Sequence, residues 1–389
     1  MQRNSQTNHP GTVCRGFSRN ATCIVASWIA WRSPSFDPFS LKKQSGLKQC
    51  QSLVHRMLNA LDKLPSDPNQ ARSRSLFDAF VYTALWANEF DLSLHLDVSI
   101  NISGTLSEYI ESLHKYMVIN NIYDLYGIWS ERLRDSQSDD TKKPHTVAIV
   151  LDNSGPELVA DFCLAEYLIH SGFTTRVVFY PKVIPWYVSD VTTNDITWIL
   201  NEGLSSKFLA DQPLIPLATK WAERWRSRFD VGQFIMRESP FWTYAYAYEE
   251  MAVVDPKLHE QLTTGTDVIL FKGDLNYRKL VADRAWRPDS VRHKQAAFRK
   301  LQFGRPIDPS GQLTCRCFPA TAAGDPLDCR CPMPVSKVWP PLICALRIAK
   351  ADVAVGLNSE TLIRVQAESS DWWVIGRYGI IQIVSPIQM

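Results

Sequence analysis

From Leu47 to about Leu64, from Leu76 to Asn88 and from Leu106 to Arg134, apolar residues return every three or four positions with charged residues between them. That interval keeps one face of an α-helix apolar, so this half is predicted to be mainly helical. The polar run Asp135 to Pro144 interrupts the pattern and reads as a linker. Beyond it, Thr146-Val-Ala-Ile-Val-Leu151 is a continuous β-branched apolar run of strand length, which suits a strand covered on both faces of a parallel sheet. Asp152-Asn-Ser-Gly-Pro156 breaks the run, and Glu157 to Ile169 regains the helical period. Gly172 fits the residue after a helix C-cap, and Arg176-Val-Val-Phe-Tyr180 reads as a second strand, which completes a βαβ unit.

Two further short apolar runs, Asp267 to Phe271 and Asp352 to Val355, end in polar, Gly-containing segments. They repeat the pattern of a strand that delivers functional groups at its carboxyl edge, where open α/β sheets bind ligands. Trp372 to Val384 alternates enough to suggest a hairpin or edge strand around Gly376 and Gly379. The expected fold class is α/β, a three-layer α/β/α domain with a largely parallel or mixed sheet, preceded by a helical amino-terminal region. The predicted boundaries are an irregular or disordered start at 1–38, a helical region at 39–138 and the α/β domain at 144–389.

Composition narrows the class of function. At 389 residues, 45% hydrophobic and 21% charged, the chain can bury a sizeable core. Its 42 basic and 40 acidic side chains nearly cancel, and no Lys/Arg block of the kind that neutralises a phosphate backbone is visible, so nucleic acid is not an expected partner. The apolar stretch Cys23 to Trp31 is far shorter than the roughly 20 residues of a membrane helix, so neither anchor nor signal peptide is expected. Nine cysteines is an odd count, and Cys163 and Cys344 lie in apolar runs that read as core. Both features suit a reducing compartment, the cytoplasm or the nucleus.

Four segments carry candidate chemistry. Leu151-Asp152-Asn153-Ser154-Gly155-Pro156-Glu157 puts a carboxylate and a carboxamide at a strand end, ahead of a helix N-terminus whose free N–H groups favour an anion. The plainer alternative is that Asp152 or Ser154 caps that helix. Ile184-Pro-Trp-Tyr-Val-Ser-Asp190 brings another acid to the same sheet edge if the strands are neighbours; its alternative is that Asp190 caps a helix from about Asn194 to Leu200. A few hard oxygens, completed by water and substrate phosphate, is how Mg²⁺ or Mn²⁺ is held at phosphoryl sites. Lys272-Gly-Asp274-Leu275-Asn276-Tyr277-Arg278-Lys279 is dense in charge directly after an apolar strand, and is otherwise a solvated face. Arg347-Ile-Ala-Lys350, read as lying just ahead of a strand, offers Lys350 to a phosphate as a point charge.

In this order the four segments resemble the damage-control phosphatase family, also named after acidic residue methyltransferase and formerly a domain of unknown function. The likeness runs from about Phe36 to the carboxyl terminus and takes in Asp37-Pro-Phe39, Thr83-Ala-Leu-Trp-Ala-Asn88 and Asp91-Leu-Ser93. The resemblance implies that Asp152, Asn153 and Asp190 are metal ligands for Mn²⁺, Co²⁺, Ni²⁺ or Mg²⁺. It implies substrate contacts from Asn153, Glu157, Asp274, Leu275, Asn276, Tyr277, Arg278 and Lys350, with Asn88 a further candidate. The substrates it implies are small phosphorylated metabolites such as fructose 1-phosphate and fructose 6-phosphate. The family's carboxy-terminal signature is Arg-Thr-x-Lys, and Ile348 stands in the Thr place here. Gln302 to Val338 looks like a loop insertion between the third and fourth motifs; its Cys315-Arg-Cys317 and Cys329-Arg-Cys331 have unfavourable spacing for zinc. The eight histidines form no H-x-H or H-E-x-x-H pattern.

The expected catalytic groups are Asp152, which with Asn153 and Asp190 holds the metal, Lys350, which with the N–H groups following Asn153 stabilises phosphoryl oxygens, and Asp274, which orients or deprotonates the attacking group. A rival reading is an S-adenosylmethionine-dependent carboxyl methyltransferase, but such enzymes normally place a Gly-rich turn after the first strand and this chain contains no G-x-G. A third is a degenerate, non-catalytic binding homologue.

Overall fold

The computed structural model describes residues 36–87, 106–137, 145–299 and 341–384. In chain order the amino-terminal part forms α1 (Ser40–Gln49), α2 (Gln51–Asp62), α3 (Arg74–Trp86), α4 (Leu106–Leu113), β1 (Met117–Asn120) and α5 (Ile122–Gln137). There follow β2 (Thr146–Val150), α6 (Pro156–His170), β3 (Arg176–Tyr180), α7 (Thr193–Trp198), α8 (Leu214–Asp230) and β4 (Phe234–Met236). The remainder is α9 (Pro256–Thr264), β5 (Val268–Lys272), α10 (Gly273–Leu280), α11 (Val291–Arg299), β6 (Leu342–Ile348), α12 (Ser359–Glu368) and β7 (Gly379–Val384), with short helical turns between.

The strands form one sheet in the order β1-β7-β6-β5-β2-β3-β4. Pairing is parallel throughout except between β6 and β7. Successive side chains of a strand point to opposite faces, and both faces here are covered. Val147, Ile149, Leu270 and Leu346 face a core shared with α2, α3, α6 and α8, whereas Ala148, Val150, Ile269 and Ala345 face a core shared with α9, α10 and α11. This is the three-layer α/β/α arrangement the apolar runs predicted. Every residue of β2 and β5 is buried, including Lys272 at the end of β5.

Several predictions of detail need correction. The helical period read from Leu106 to Arg134 hides β1, whose short Met-Val-Ile-Asn run pairs with β7. The sheet therefore takes a strand from the region predicted to be mainly helical, 39–138. Asp352 to Val355 is not a strand; the strand is β6, an apolar run in which Arg347 is embedded rather than leading. Trp372 to Val384 makes no hairpin or edge: β7 is a single strand lying between β1 and β6. Residues 1–35, most of the predicted linker (138–144), Asn88, Asp91, Ser93 and the insertion 302–338 with its four cysteines lie outside the described residues. Among the described residues no helix is long and apolar enough to cross a membrane.

Candidate active site

The order of strands reverses beside β2. From β2 the chain moves outward through β3 to β4, then returns to lay β5 on the other side of β2 and continues to β6. The crevice outside the carboxyl ends of β2 and β5 is thus a topological switch point, the place where open α/β sheets accept ligands. Asp152 leaves β2 at this edge, and Gly273 opens α10 directly after β5. The two chains touch so closely that a Cβ on Gly273 would lie 1.8 Å from Asp152 Oδ2 and 2.0 Å from its Cγ. Gly273 also has φ +83°, in the region where glycine alone is unstrained.

A second contact brings in Asp190. The Val191 N–H donates to the Asp152 carbonyl (2.9 Å), the Ser154 N–H to the Ser189 carbonyl (2.8 Å) and the Lys182 N–H to the Val191 carbonyl (3.0 Å). This zipper sets Asn153 opposite Asp190 as an isolated antiparallel bridge. The three residues expected to act together are therefore adjacent. The capping alternatives do not hold: α6 begins at Gly155 without a side-chain cap, and α7 is capped by Thr192 in a capping box with Asp195. The same zipper narrows one expectation: of the N–H groups following Asn153, that of Ser154 is already committed to Ser189 and Pro156 has none.

Each side chain of the trio is fixed. Asp190 Oδ2 accepts from the Trp186 and Tyr187 N–H groups (2.9 and 2.8 Å), and Oδ1 lies 3.0 Å from Lys182 Nζ. Asn153 Nδ2 donates to Asp152 Oδ2 (3.1 Å) and to Glu157 Oε2 (2.8 Å), so what Asn153 still offers is its carboxamide oxygen. Glu157 Oε1 accepts a hydrogen bond from Lys272 Nζ (2.7 Å), which also donates to Asp161 Oδ1 (2.8 Å) and the Ala84 carbonyl (2.6 Å). Glu157, with one oxygen on the Asn153 amide and the other on Lys272, supports Asn153.

Burial pushes the Asp152 carboxyl up to about 8; Lys182 and Lys350 oppose that rise, and the neighbouring Glu157 and Asp190 add to it. Among the described residues no three His, Cys, Asp or Glu side chains converge as a metal cage. A cation here would rest on two carboxylates, one carboxamide oxygen and ligands from outside, a set suited to Mg²⁺ or Mn²⁺.

The opposite wall is built by α10 and β6. Asp274 Oδ1 accepts from Arg347 Nε (2.7 Å) and from the Lys350 N–H (2.9 Å). Asp274 Oδ1 is thus shared between the Arg347 guanidinium and the Lys350 backbone, and the carboxylate holds Lys350 in place. Lys350 is half-buried and its charge reaches Asp152. Arg278, one helical turn beyond Asp274, is gripped by Asp283 through Nε (3.0 Å) and Nη2 (2.7 Å) and donates to the Tyr187 phenol. Ala282 and Asp283 adopt φ +59° and +47°, a strained turn that aims the Asp283 carboxylate back at Arg278.

Two further residues of this segment are corrected. Asn276 is wholly buried, donating to the carbonyls of Leu151 (3.2 Å) and Lys272 (2.7 Å) and accepting from Tyr248 OH (2.5 Å). Tyr277 is also buried, its hydroxyl donating to Gln382 (2.8 Å). Both tie the ends of β2, β5 and β7 together; Asp274, Leu275 and Arg278 are the partly exposed residues of α10. Ile348, in the Thr place of the family signature, is buried in the α6-side core, so a methyl-rich contact replaces the hydroxyl there.

Sequence reasoning assigned no role to Lys182, Lys272, Asp161, Tyr248 or Arg347. The available signal was a charge inside an apolar strand: Lys272 closes Val-Ile-Leu-Phe-Lys and Arg347 interrupts Leu-Ile-Cys-Ala-Leu-Arg-Ile. A charge buried on a doubly covered sheet must be paired.

The sequence model of the damage-control phosphatase ARMT1-like domain matches residues 9–363. The chain is similar to the damage-control phosphatase ARMT1 of Danio rerio, 29% identical over 360 residues, which are 90% of this chain and 68% of that protein. It is 28% identical over 366 residues to the Homo sapiens protein of the same name, covering 92% and 71% of the two chains. Among solved structures, it matches a DUF89 family protein from Pyrococcus horikoshii at a TM-score of 0.34 and 17% identity over 61% of each chain.

Proposed function

The chain belongs to the damage-control phosphatase ARMT1-like family, and on that footing we propose that it hydrolyses phosphate monoesters of small metabolites, sugar phosphates of the fructose 1-phosphate and fructose 6-phosphate type among them. In this reading a divalent cation, Mn²⁺, Co²⁺, Ni²⁺ or Mg²⁺, is held by Asp152, Asn153 and Asp190. The observation that carries it is the convergence of these three rigidly held oxygen donors with Lys350 at the β2/β5 switch point. When bound, such a cation supplies charge neutralisation for the phosphoryl oxygens.

The chain's own residues do the positioning. Lys350, fixed through its backbone by Asp274, presents a point charge to the phosphoryl oxygens. Arg278, clamped by Asp283, offers the remaining edge of its guanidinium to the polar part of the substrate at the mouth of the crevice. Lys272 and Glu157 hold the Asn153 amide so that its oxygen faces the ligand. Burial of the acids keeps the local dielectric low, which strengthens each of these interactions.

The test is phosphate release from a panel of sugar phosphates with and without Mn²⁺, comparing wild type with Asp190→Ala. Release should need the metal and should fall by more than about a hundredfold in the variant, beyond the usual effect of losing an outer-shell partner. A folded, metal-loaded protein that releases no phosphate, or a variant with full activity, refutes the reading. Methyl transfer to a glutamate-rich protein in place of phosphate release would favour the methyltransferase alternative.

A further inference from the structure

Four lysines are buried among the described residues, and three of them have spent their protons. Lys272 donates to three acceptors at 2.6 to 2.8 Å, Lys279 to the carbonyls of Phe241, Trp242 and Tyr244 at 2.9 to 3.1 Å, and Lys43 lies between Asp37 and Asp195. Lys182 differs. Its side chain is 1% exposed, yet its Nζ has one carboxylate oxygen within contact, Asp190 Oδ1 at 3.0 Å, and Asp152 Oδ1 stands off at 3.7 Å. Among the described residues no acceptor beyond that Asp190 oxygen comes within hydrogen-bond reach of this ammonium.

An ammonium carries three donors, and leaving two unmet in a buried site is costly. A lysine serving as a plain counter-ion would settle between the two acids as Lys43 does. The backbone of Lys182 is also held: its N–H donates to the Val191 carbonyl, and it bridges Thr192 in the zipper that presents Asp190. The unmet donors therefore sit beside Asp152 and Asp190 at the carboxyl edge of the sheet, where the phosphoryl group of a substrate would lie.

We propose that Lys182 is a phosphate-binding residue: from its station beside Asp190 and Asp152 its free N–H donors take up an oxygen of the bound phosphoryl group, opposite the charge supplied by Lys350. This rests on the phosphatase reading and adds to it a contact that none of the sequence motifs assigned. The ligand class is a phosphate monoester dianion or inorganic phosphate, which share the oxygens recognised.

The experiment is calorimetric titration of inorganic phosphate into the Mn²⁺-loaded full chain, wild type against Lys182→Met, with the Mn²⁺ affinity of each measured separately. K182M should bind phosphate at least about tenfold more weakly, as expected for a lost charge-assisted hydrogen bond. It should bind Mn²⁺ as tightly as wild type or more tightly, since a cation has left the neighbourhood of the ligands. Equal phosphate affinity in the two proteins overturns the proposal alone, and so does a parallel fall of both affinities, which marks Lys182 as a counter-ion only. A wild-type chain that binds neither Mn²⁺ nor phosphate overturns the phosphatase reading and this proposal together. Should K182M fail to fold, a wild-type crystal structure with Mn²⁺ and phosphate decides: an Nζ to phosphate oxygen distance within about 3.2 Å supports the proposal, and a longer one overturns it.

Discussion

Replacing Gly273 by alanine should damage the site more than the same change at any other described glycine. The new Cβ would stand 1.8 Å from Asp152 Oδ2, 2.0 Å from its Cγ and 2.7 Å from its Cβ, so rotation of the carboxylate alone does not clear it. Either Asp152 leaves its place, losing the 3.1 Å bond from Asn153 and its pairing with Lys182, or α10 withdraws from β2 and strains the Asn276 bonds to Leu151 and Lys272. A left-handed backbone costs a non-glycine residue about 1–2 kcal/mol, and forced overpacking about 1–3 kcal/mol more. The expected loss is therefore about 2–5 kcal/mol of unfolding free energy, read from urea unfolding of G273A against wild type. Under the proposed function, calorimetry should also show Mn²⁺ affinity lost out of proportion to stability, because Asp152 is the residue displaced. A variant with an unchanged urea midpoint and wild-type Mn²⁺ affinity would refute the claim that this close approach fixes Asp152.

Two further perturbations probe the supports of the site. Lys272→Met leaves Glu157 and Asp161 buried without their shared cation, which should cost about 3–5 kcal/mol in urea unfolding; adding Glu157→Gln and Asp161→Asn should recover part of it, and a loss below about 1 kcal/mol would show the network to be unimportant. Burial pushes the Lys279 ammonium down from 10.5 to about 7, against the pull of three carbonyl acceptors. Between those values the unfolded chain holds a proton the folded one does not, so this group's penalty is full below pH 7 and is relieved as pH rises toward 10.5. Wild-type stability should therefore gain on the order of a few kcal/mol from Lys279 over that range, and chemical denaturation of Lys279→Met at pH 7 and pH 10 should show that component of the slope gone.

The parts of the fold legible in the sequence were those whose two faces are equally apolar. Thr146–Val150 and Arg176–Tyr180 are continuous runs bounded by turn residues, and with the helix between them they could be read with little ambiguity. β1 was hidden because four residues with a mixed pattern fit a helical period as well as a strand, and its pairing is set by β7, remote in sequence. β6 was misplaced because Arg347 looked like a loop charge, whereas its guanidinium packs over the Tyr277 ring at 4.4 Å and bonds Asp274. The acids Asp152 and Asp190 were legible from motif order: Asp152 closely follows β2, and Asp190 lies in the loop that follows β3. Lys182 and Lys272 were not: a lone lysine is usually a surface residue, and what makes these two different is the acids that folding sets around them.

Among the described strands, β1 has β7 as its one neighbour, and Met117 there pairs with Gly379. In a chain made from its amino end, Val118 and Ile119 emerge early and wait for their sheet partner until β7 leaves the ribosome. Synthesis interrupted before Gly379 would forfeit two strands, not one, and would turn β6 from an interior strand into a bare edge. Since β6 carries Arg347 into contact with Asp274, premature termination at that point would leave the strand behind that contact without its outer neighbour, even though every residue of the crevice had already been made.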